Sequence, residues 1–494
     1  MAYSNDLFDL IHAMTKSEKR YFKLFSSGQS GDKEYINLFN SISKQEVYDE
    51  EVLKKQLKIS SFPTVKTYLY NLILRSLRSQ QLHQNISLQL KDMLKDIEIL
   101  YQKGLYDQCS RLITKARKVA KQYERHIHLL ELCQFEHLIT SLNLSPFHRK
   151  KLIEEGYSEV RNAIASYTQL SEYRHDILTI ADYIHSKGKR NNDSLDKKKL
   201  YQALKHIVDD DAPVFLSYKA GILFYNIKGL YLSNESNFQK TYETTKSYIK
   251  HMESNPFLLT QEINNYLVGL NNLMNIQQTM SLFEEMMETV KKLKSINVST
   301  ETEKIRVVEY TIPKEISYHV AKGTFQDGLE LLPGIEKQLA QYENQMGKPF
   351  QLSIYTNIVE MCILGESFRK ALQWNNRILN SPEIETYSDF YTNARLSEII
   401  IHYELENIEK VDSLMKSFQL LLSKKPAYTF EIALLRFLKN FIHLEEPKKM
   451  LKLLKSFQEE LTEIAKDPIE KVAFYFFEMP VWLDLKIKKL SSKK

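Results

Sequence analysis

Glycine and proline are both scarce in this chain of 494 residues. It has 13 glycines and 12 prolines, whereas average usage would give roughly 35 and 25. A chain with so few turn-forming residues has few tight turns and therefore long elements. The segments without glycine or proline are rich in Leu, Lys, Glu, Gln and Ile, which are good helix formers apart from Ile. The composition therefore predicts an all-α fold.

Cysteine is rarer still. Cys109, Cys133 and Cys362 lie far apart and form no CxxC pair, which fits buried thiols in a reducing compartment. The first ten residues carry Asp6 and Asp9 and no apolar run, so they do not form a signal peptide. No window of about 18 apolar residues exists, so no transmembrane helix is expected. We therefore expect a cytoplasmic protein with no membrane partner.

Signatures of catalysis are also missing. The sequence has no GxGxxG, GxxxxGK[ST], GxSxG or HExxH motif. Cys133 and His137 would share a helix face, but two further zinc ligands have no candidate. No catalytic residue, cofactor, metal site or small-molecule substrate is predicted, and we expect that the protein is not an enzyme. The net charge of +6 is mild for this length, since nucleic-acid binding along the whole chain would need stronger and more concentrated charge.

One stretch recurs along the chain and is clearest at residues 355–382. Its apolar residues follow the 3.6-residue period twice and are interrupted once by a glycine, which indicates two helices folded back on each other. The turn follows the pattern G-x-[FY]-x-x-small. The glycine allows a left-handed or close-packed helix end, the aromatic fills the space between diverging helices, and the small residue allows close approach. The three clear copies are Gly104, Tyr106 and Cys109; Gly323, Phe325 and Gly328; and Gly365, Phe368 and Ala371.

Weaker copies lack the glycine but keep the same spacing of apolar residues, at Phe238, Ile276 and Ile408. From Phe238 onward the turns are 38, 49, 43 and 40 residues apart, and the gap of 132 residues from Tyr106 to Phe238 matches about three such units. A period near 40 residues with two helices per unit is typical of a helical solenoid.

These turns resemble the middle of the tetratricopeptide repeat, and Pro382 follows about where that family places its closing proline. The resemblance covers residues 90–465, although the units exceed the usual 34 residues. It implies a superhelix of antiparallel helical hairpins whose groove binds a protein or peptide partner. We therefore predict an N-terminal helical cap segment (1–85), a repeat array (86–465), and a C-terminal capping helix with a basic tail (466–494).

The N-terminal segment allows a second interpretation. Thr15 with Glu18, Asp32 and Asp49 are candidate helix N-caps, and residues 49–81 resemble a LuxR-type helix-turn-helix. That resemblance implies DNA contacts from five residues of its second helix: Thr64, Lys66, Thr67, Asn71 and Arg75. The turn departs from that family through an additional residue and Pro63, and Tyr70 and Leu74 are apolar on the face that would meet DNA. The alternative is a buried helix that caps the array.

Three other segments stand apart from the repeats. Residues 186–199 are polar and basic and predict an exposed loop, and residues 296–311 predict a linker. Residues 474–494 join five aromatics to a short basic amphipathic helix, which indicates either a cap on the last repeat or a docking helix. The combination of such an N-terminal segment with the array resembles an uncharacterised bacterial family, a resemblance that implies no function.

The sequence thus predicts a non-enzymatic, protein- or peptide-binding scaffold. The alternative is a transcriptional regulator in which residues 49–81 bind DNA and the array senses a partner. The 29 tyrosines leave both roles of an aromatic open: they suit a ligand-binding groove because they offer area and a hydrogen-bonding tip, and they equally suit packing between repeats.

Overall fold

The computed structural model describes residues 5–27, 34–59, 61–81, 85–143, 146–187, 194–211, 213–423, 428–467 and 479–492. Regular structure in these ranges is helical throughout, and they contain no strand. The all-α class predicted from composition is confirmed. Within the same ranges, no helix has both the length and the apolar character needed to cross a membrane.

The chain divides into two compact units, Met1–Ser171 and Glu172–Lys494. The segment boundaries predicted at residues 85 and 465 stay predictions. The helices that begin in the first unit are α1 (Asp6–Ala13), α2 (Lys16–Ser27), α3 (Glu34–Ile42), α4 (Glu50–Leu57), α5 (Phe62–Gln81), α6 (Ile86–Gln102), α7 (Tyr106–Gln122), α8 (His126–Asn143) and α9 (Pro146–Lys187).

The helices that begin in the second unit are α10 (Ser194–Val208), α11 (Tyr218–Asn234), α12 (Phe238–Glu253), α13 (Pro256–Gln261), α14 (Ile263–Thr279), α15 (Phe283–Lys294), α16 (Glu301–Lys322), α17 (Phe325–Glu330), α18 (Leu332–Tyr342), α19 (Lys348–Leu364), α20 (Phe368–Leu379), α21 (Ser388–Glu404), α22 (Ile408–Ser423), α23 (Thr429–Phe441), α24 (Pro447–Ile464) and α25 (Met479–Ser492). The second unit also contains two 3₁₀ turns, Glu343–Gln345 and Ile384–Thr386.

Local capping explains where the N-terminal helices begin. The Glu18 N–H donates to Oγ1 of Thr15 at 3.2 Å, and the Thr15 N–H donates to the Glu18 carboxylate at 2.7 Å, which forms the predicted capping box. Asp49 caps α4 by accepting from the Val52 N–H at 3.0 Å. The predicted cap at Asp32 lies outside the described residues. Helices α1, α2, α3 and α5 enclose one apolar core that includes Leu7, Ile11, Phe22, Leu38, Phe39, Leu69, Leu72 and Ile73.

One turn recurs between consecutive helices in both units. A residue with left-handed φ follows the first helix, and the next N–H donates to the carbonyl five residues earlier. Gly104 (φ 72°) and Gly323 (φ 69°) take this conformation, and the Leu105 N–H reaches the Leu100 carbonyl at 3.0 Å. Such bonds satisfy carbonyls at a helix end that would otherwise lack partners. The turns of this form have their left-handed residues at Gly104, Glu124, Ser236, Ser281, Gly323, Glu366 and Glu406.

Gly365 differs from Gly104 and Gly323 because it does not take the left-handed conformation. Its φ is −86°, and the left-handed position falls on Glu366 at φ 56°. A Cβ on Gly365 would lie 2.7 Å from Leu329 Cδ1, so glycine is needed here for close packing. Gly328 acts similarly, because a Cβ there would lie 2.5 Å from Met361 Sδ.

Several boundaries differ from the prediction. Ile276 lies inside α14, and the turn falls at Ser281 with Phe283 after it. The turns from Phe238 to Ile408 are therefore 40 to 45 residues apart, more regular than the sequence count. The single 42-residue helix α9 occupies much of the interval where about three hairpins were predicted. Residues 301–311 are helical instead of a linker, because Thr300 and Glu303 form a capping box that begins α16.

Packing in the second unit follows chain order. From α14 onward, α14 contacts α15 and also α16, α16 contacts α19, and α19 contacts both α20 and α21. The turns of adjacent hairpins also meet, since the Gln326 side chain donates to the Gly365 carbonyl at 3.3 Å. The aromatics Tyr106, Phe325 and Phe368 are partly buried beside these turns, and Cys109 and Ala371 are fully buried. The terminal helix α25 packs on α19 and α24 and buries Met479, Trp482 and Leu483.

Candidate functional site

A cavity of about 200 Å³ opens in the second unit between α11, α12 and α14. Its walls carry no acidic, basic, histidine or cysteine side chain. The lining residues are Tyr225, Asn226, Gly229, Leu230, Ser233, Phe238, Thr241, Thr245, Tyr248, Asn265, Val268, Gly269, Asn272, Asn275, Ile276 and Thr279.

Two glycines shape this cavity in opposite ways. A Cβ on Gly269 would lie 2.3 Å from the Tyr248 ring, so glycine allows α12 to pack closely on α14. A Cβ on Gly229 would meet nothing within 4 Å. The absent side chain at residue 229 leaves the space open, and a larger residue there would occupy it without disturbing the backbone.

Three polar side chains of the cavity are already hydrogen-bonded within the protein. The Tyr248 hydroxyl donates to the Asn265 carbonyl at 2.9 Å, and burial raises the pKa of that hydroxyl. Thr241 and Thr245 donate to backbone carbonyls of their own helix at 2.8 and 2.7 Å. These groups therefore fix the walls and offer little to a ligand.

Four other polar groups of the cavity form no hydrogen bond within the described residues. The side-chain amides of Asn226, Asn272 and Asn275 and the hydroxyl of Tyr225 have no hydrogen-bond partner within the described residues. Asn272 and Asn275 are three residues apart and share one face of α14, whereas Asn226 and Tyr225 belong to α11. Each amide has one acceptor oxygen and two N–H donors. Asn272 and Asn275 are exposed and Asn226 is partly buried, so these groups can donate to and accept from a ligand that enters the cavity.

Polar side chains continue beyond the cavity along the first helices of the next two hairpins. The Gln278 amide donates to Ser317 Oγ at 3.2 Å, and Ser317 Oγ donates to Asn357 Oδ1 at 3.4 Å. The Lys314 ammonium donates to Gln278 Oε1 at 2.5 Å. Gln278 lies one turn beyond Asn275, so Lys314 stands next to the end of the amide-lined cavity.

The five predicted DNA-contacting residues lie on α5 in the first unit. Thr64, Thr67, Asn71 and Arg75 are exposed on one face of the helix. Lys66 departs from that set. Its side chain is 13% exposed and its ammonium lies 2.9 Å from Glu50.

The pairing of Lys66 joins α5 to α4 and the segment before it. The hydrogen bond from Lys66 is the main cause that lowers the pKa of Glu50 to about 2. The Lys66 ammonium also stands 5.0 Å from the centre of the Tyr48 ring. Lys66 therefore orients α4 against α5, and its charge is largely neutralised before any ligand arrives.

The thiols offer no reactive group. All three cysteines are free and buried. Burial raises the pKa of Cys133 to about 11 and that of Cys362 to about 12, so both remain protonated and unreactive near neutral pH. Around Cys133, Arg117 of α7 pairs with Glu136 of α8 and with Glu159 of α9, which ties three helices together. Among the described residues no cluster of His, Cys, Asp and Glu could hold a metal ion.

Comparison with models of known protein families and with curated proteins gives no match. The amide-lined cavity was not predicted from the sequence, although its signal was present: three asparagines at residues 265, 272 and 275 fall on one face of a helix otherwise rich in apolar residues.

Proposed function

We propose that this protein is a non-enzymatic scaffold or adaptor that binds a peptide segment of a partner protein in the cavity between α11, α12 and α14. In this proposal the hairpins from α11 onward form a tetratricopeptide-like superhelix, and its first helices line the binding groove. The observation that carries it is the set of amides at Asn226, Asn272 and Asn275 with no partner inside the described residues.

A peptide main chain is the ligand that matches these groups. Each peptide unit presents one N–H and one C=O, and a carboxamide side chain can bond to both at once. The volume of about 200 Å³ is below the roughly 300–1,000 Å³ of sites for drug-sized ligands. A cavity this small fits one or two residues of a longer segment that continues along the groove.

The chemistry of the walls favours binding over catalysis. General acid–base and nucleophilic catalysis need a positioned group such as His, Glu, Lys or Cys, and the cavity walls have none of these. Neutral hydrogen-bonding groups with aromatic and aliphatic neighbours give orientation and specificity without activating a bond.

The test uses the full chain and two glycine variants. The protein is incubated with a random pool of N-acetylated pentapeptides, bound peptides are separated by size exclusion, and they are sequenced by mass spectrometry. Gly229→Leu fills the cavity, and Gly334→Leu is the matched control because a Cβ at residue 334 also meets nothing within 4 Å and lies in α18, away from the cavity.

We expect the wild type and Gly334→Leu to retain the same peptides, and Gly229→Leu to lose them by about tenfold or more, with all three melting at similar temperatures. If Gly229→Leu retained the peptides as the wild type does, the cavity would not be the binding site.

A DNA-binding regulator is the second candidate. The observation that favours it is the common exposure of Thr64, Thr67, Asn71 and Arg75 on α5. Titration of random duplex DNA at several salt concentrations, with Arg75→Gln and Arg78→Gln together as the variant, tests it. Affinity that falls steeply with salt and drops in the double variant would support this candidate, because phosphate contacts release counterions. Absence of binding at low salt would eliminate it.

A further inference from the structure

Within the part of the chain that the structure describes, Lys314 on α16 is a cation without a counter-charge. It forms no ion pair within the described residues, and its hydrogen bond goes to the neutral Gln278 at 2.5 Å. The neighbouring Glu315 is engaged by Lys294 at 2.5 Å. An ammonium carries three donors and no acceptor, so two of its N–H groups lack an acceptor in this part of the chain.

The position of Lys314 is costly for folding. The side chain is partly buried, and burial lowers the pKa of its ammonium to about 8. Long cationic side chains are rarely buried unless they are paired. A chain tolerates such a group where function requires it, and perturbed lysines therefore concentrate at binding and catalytic sites.

The surroundings of Lys314 connect it to the amide-lined cavity. Gln278, its partner, follows Asn275 by three residues on α14. Ser317, one turn along α16, belongs to the same hydrogen-bonded series and leads on to Asn357 of α19. A segment lying against Asn272 and Asn275 would therefore reach the ammonium within one further helical turn, about 5 Å.

We infer that Lys314 binds a carboxylate of the bound peptide. The ligand is then a segment with one acidic group next to residues whose main-chain N–H and C=O groups bond to the amides of the cavity. This inference rests on the proposed function. The carboxylate can be an Asp or Glu side chain or the free C-terminus of the segment, since both present the same pair of acceptor oxygens. On binding, the two unused N–H groups gain a charged acceptor, and the desolvation of the ammonium is compensated.

The experiment compares two pentapeptide pools on the full chain, one with free C-terminal carboxylates and one with amidated C-termini. Both pools contain Asp and Glu at random positions. The variants are Lys314→Met, which removes the charge and keeps an unbranched side chain, and Lys294→Met, which removes a nearby lysine whose partner is known. Retained peptides are sequenced from the wild type and from both variants.

We expect the wild type and Lys294→Met to enrich carboxylate-bearing peptides about tenfold or more, and Lys314→Met to lose that enrichment. Enrichment confined to the free-acid pool would identify the C-terminus as the source, and enrichment of Asp or Glu in the amidated pool would identify a side chain. Retention without any preference for carboxylates, or an unchanged preference in Lys314→Met, would overturn the inference and leave the groove in place. Absence of retained peptides in every sample would contradict the groove as well.

Discussion

Lys314 is the residue at which a cost to stability and the proposed function coincide. In the unfolded chain its pKa would be near 10.4, whereas burial lowers it to about 8 in the folded protein. Between these two values the unfolded state binds more protons, so this group makes the protein more stable as the pH rises from 8 toward 10.4. Below pH 8 the cost of burying the ammonium is present in full.

Lys314→Met should therefore stabilise the protein at pH 7. We expect a gain of about 2–3 kcal/mol, because one pKa unit corresponds to roughly 1.4 kcal/mol, and we expect the gain to shrink toward zero between pH 8 and 10.5. Denaturant unfolding of the wild type and the variant across that range measures the difference. Lys294→Met is the control, and its effect should stay within about 1 kcal/mol because its ion pair is near the surface. A wild type as stable as Lys314→Met at pH 7 would show that burial of the ammonium does not destabilise the protein.

Single residues also mark the limit of prediction from the sequence. Gly104 and Gly323 have the left-handed backbone that a glycine at a helix end suggests. At the other turns Glu124, Ser236, Ser281, Glu366 and Glu406 take the same conformation, and their side chains do not predict it. The cavity asparagines were missed for a related reason: an exposed asparagine on a helix looks like ordinary solvated surface until the facing helix is known.

At the scale of the helix pair, the recurring turn makes a separable contribution to stability. A residue other than glycine in the left-handed region lowers stability by roughly 1–2 kcal/mol, and Glu406 has this conformation at φ 60°. Gly323 avoids it, and because a Cβ there meets nothing within 4 Å, its replacement would add backbone strain alone.

We therefore expect Glu406→Gly to raise the free energy of unfolding by about 0.5–1 kcal/mol and Gly323→Ala to lower it by about 1 kcal/mol. Chemical denaturation measures both. Gly334→Ala, at a helical glycine with open space around it, should stabilise by up to about 1 kcal/mol through helix propensity alone. If Gly323→Ala instead matched Gly334→Ala, the left-handed turn would not be rigid in solution.

Element boundaries followed their chemistry where caps were explicit. Thr15 with Glu18 and Asp49 begin helices as predicted. The prediction was wrong at residues 301–311, where polar Thr and Glu residues suggested a linker and instead form a capping box and the first turns of α16. Polarity alone does not separate a loop from an exposed helix start, because both are solvated.

For the whole molecule, the scarcity of glycine and proline was the strongest signal, and it correctly predicted the all-helical class of the described residues. Repeat spacing was less informative, because α9 extends over 42 residues with no turn of the recurring form. The division into units at residues 171 and 172 has no compositional signal either. Contacts between helices decide it, and those depend on side chains far apart in sequence.

The binding of a peptide against the amides of the cavity is the central claim, and side-chain NMR tests it most directly. Protein labelled with ¹⁵N at asparagine, with Asn226, Asn272 and Asn275 assigned by substitution, would be titrated with the peptide most enriched from the pentapeptide pool. We predict saturable shifts of these three side-chain amides, while the exposed Asn376 of α20 stays unchanged. Saturable binding that left all three amides unmoved would contradict the account.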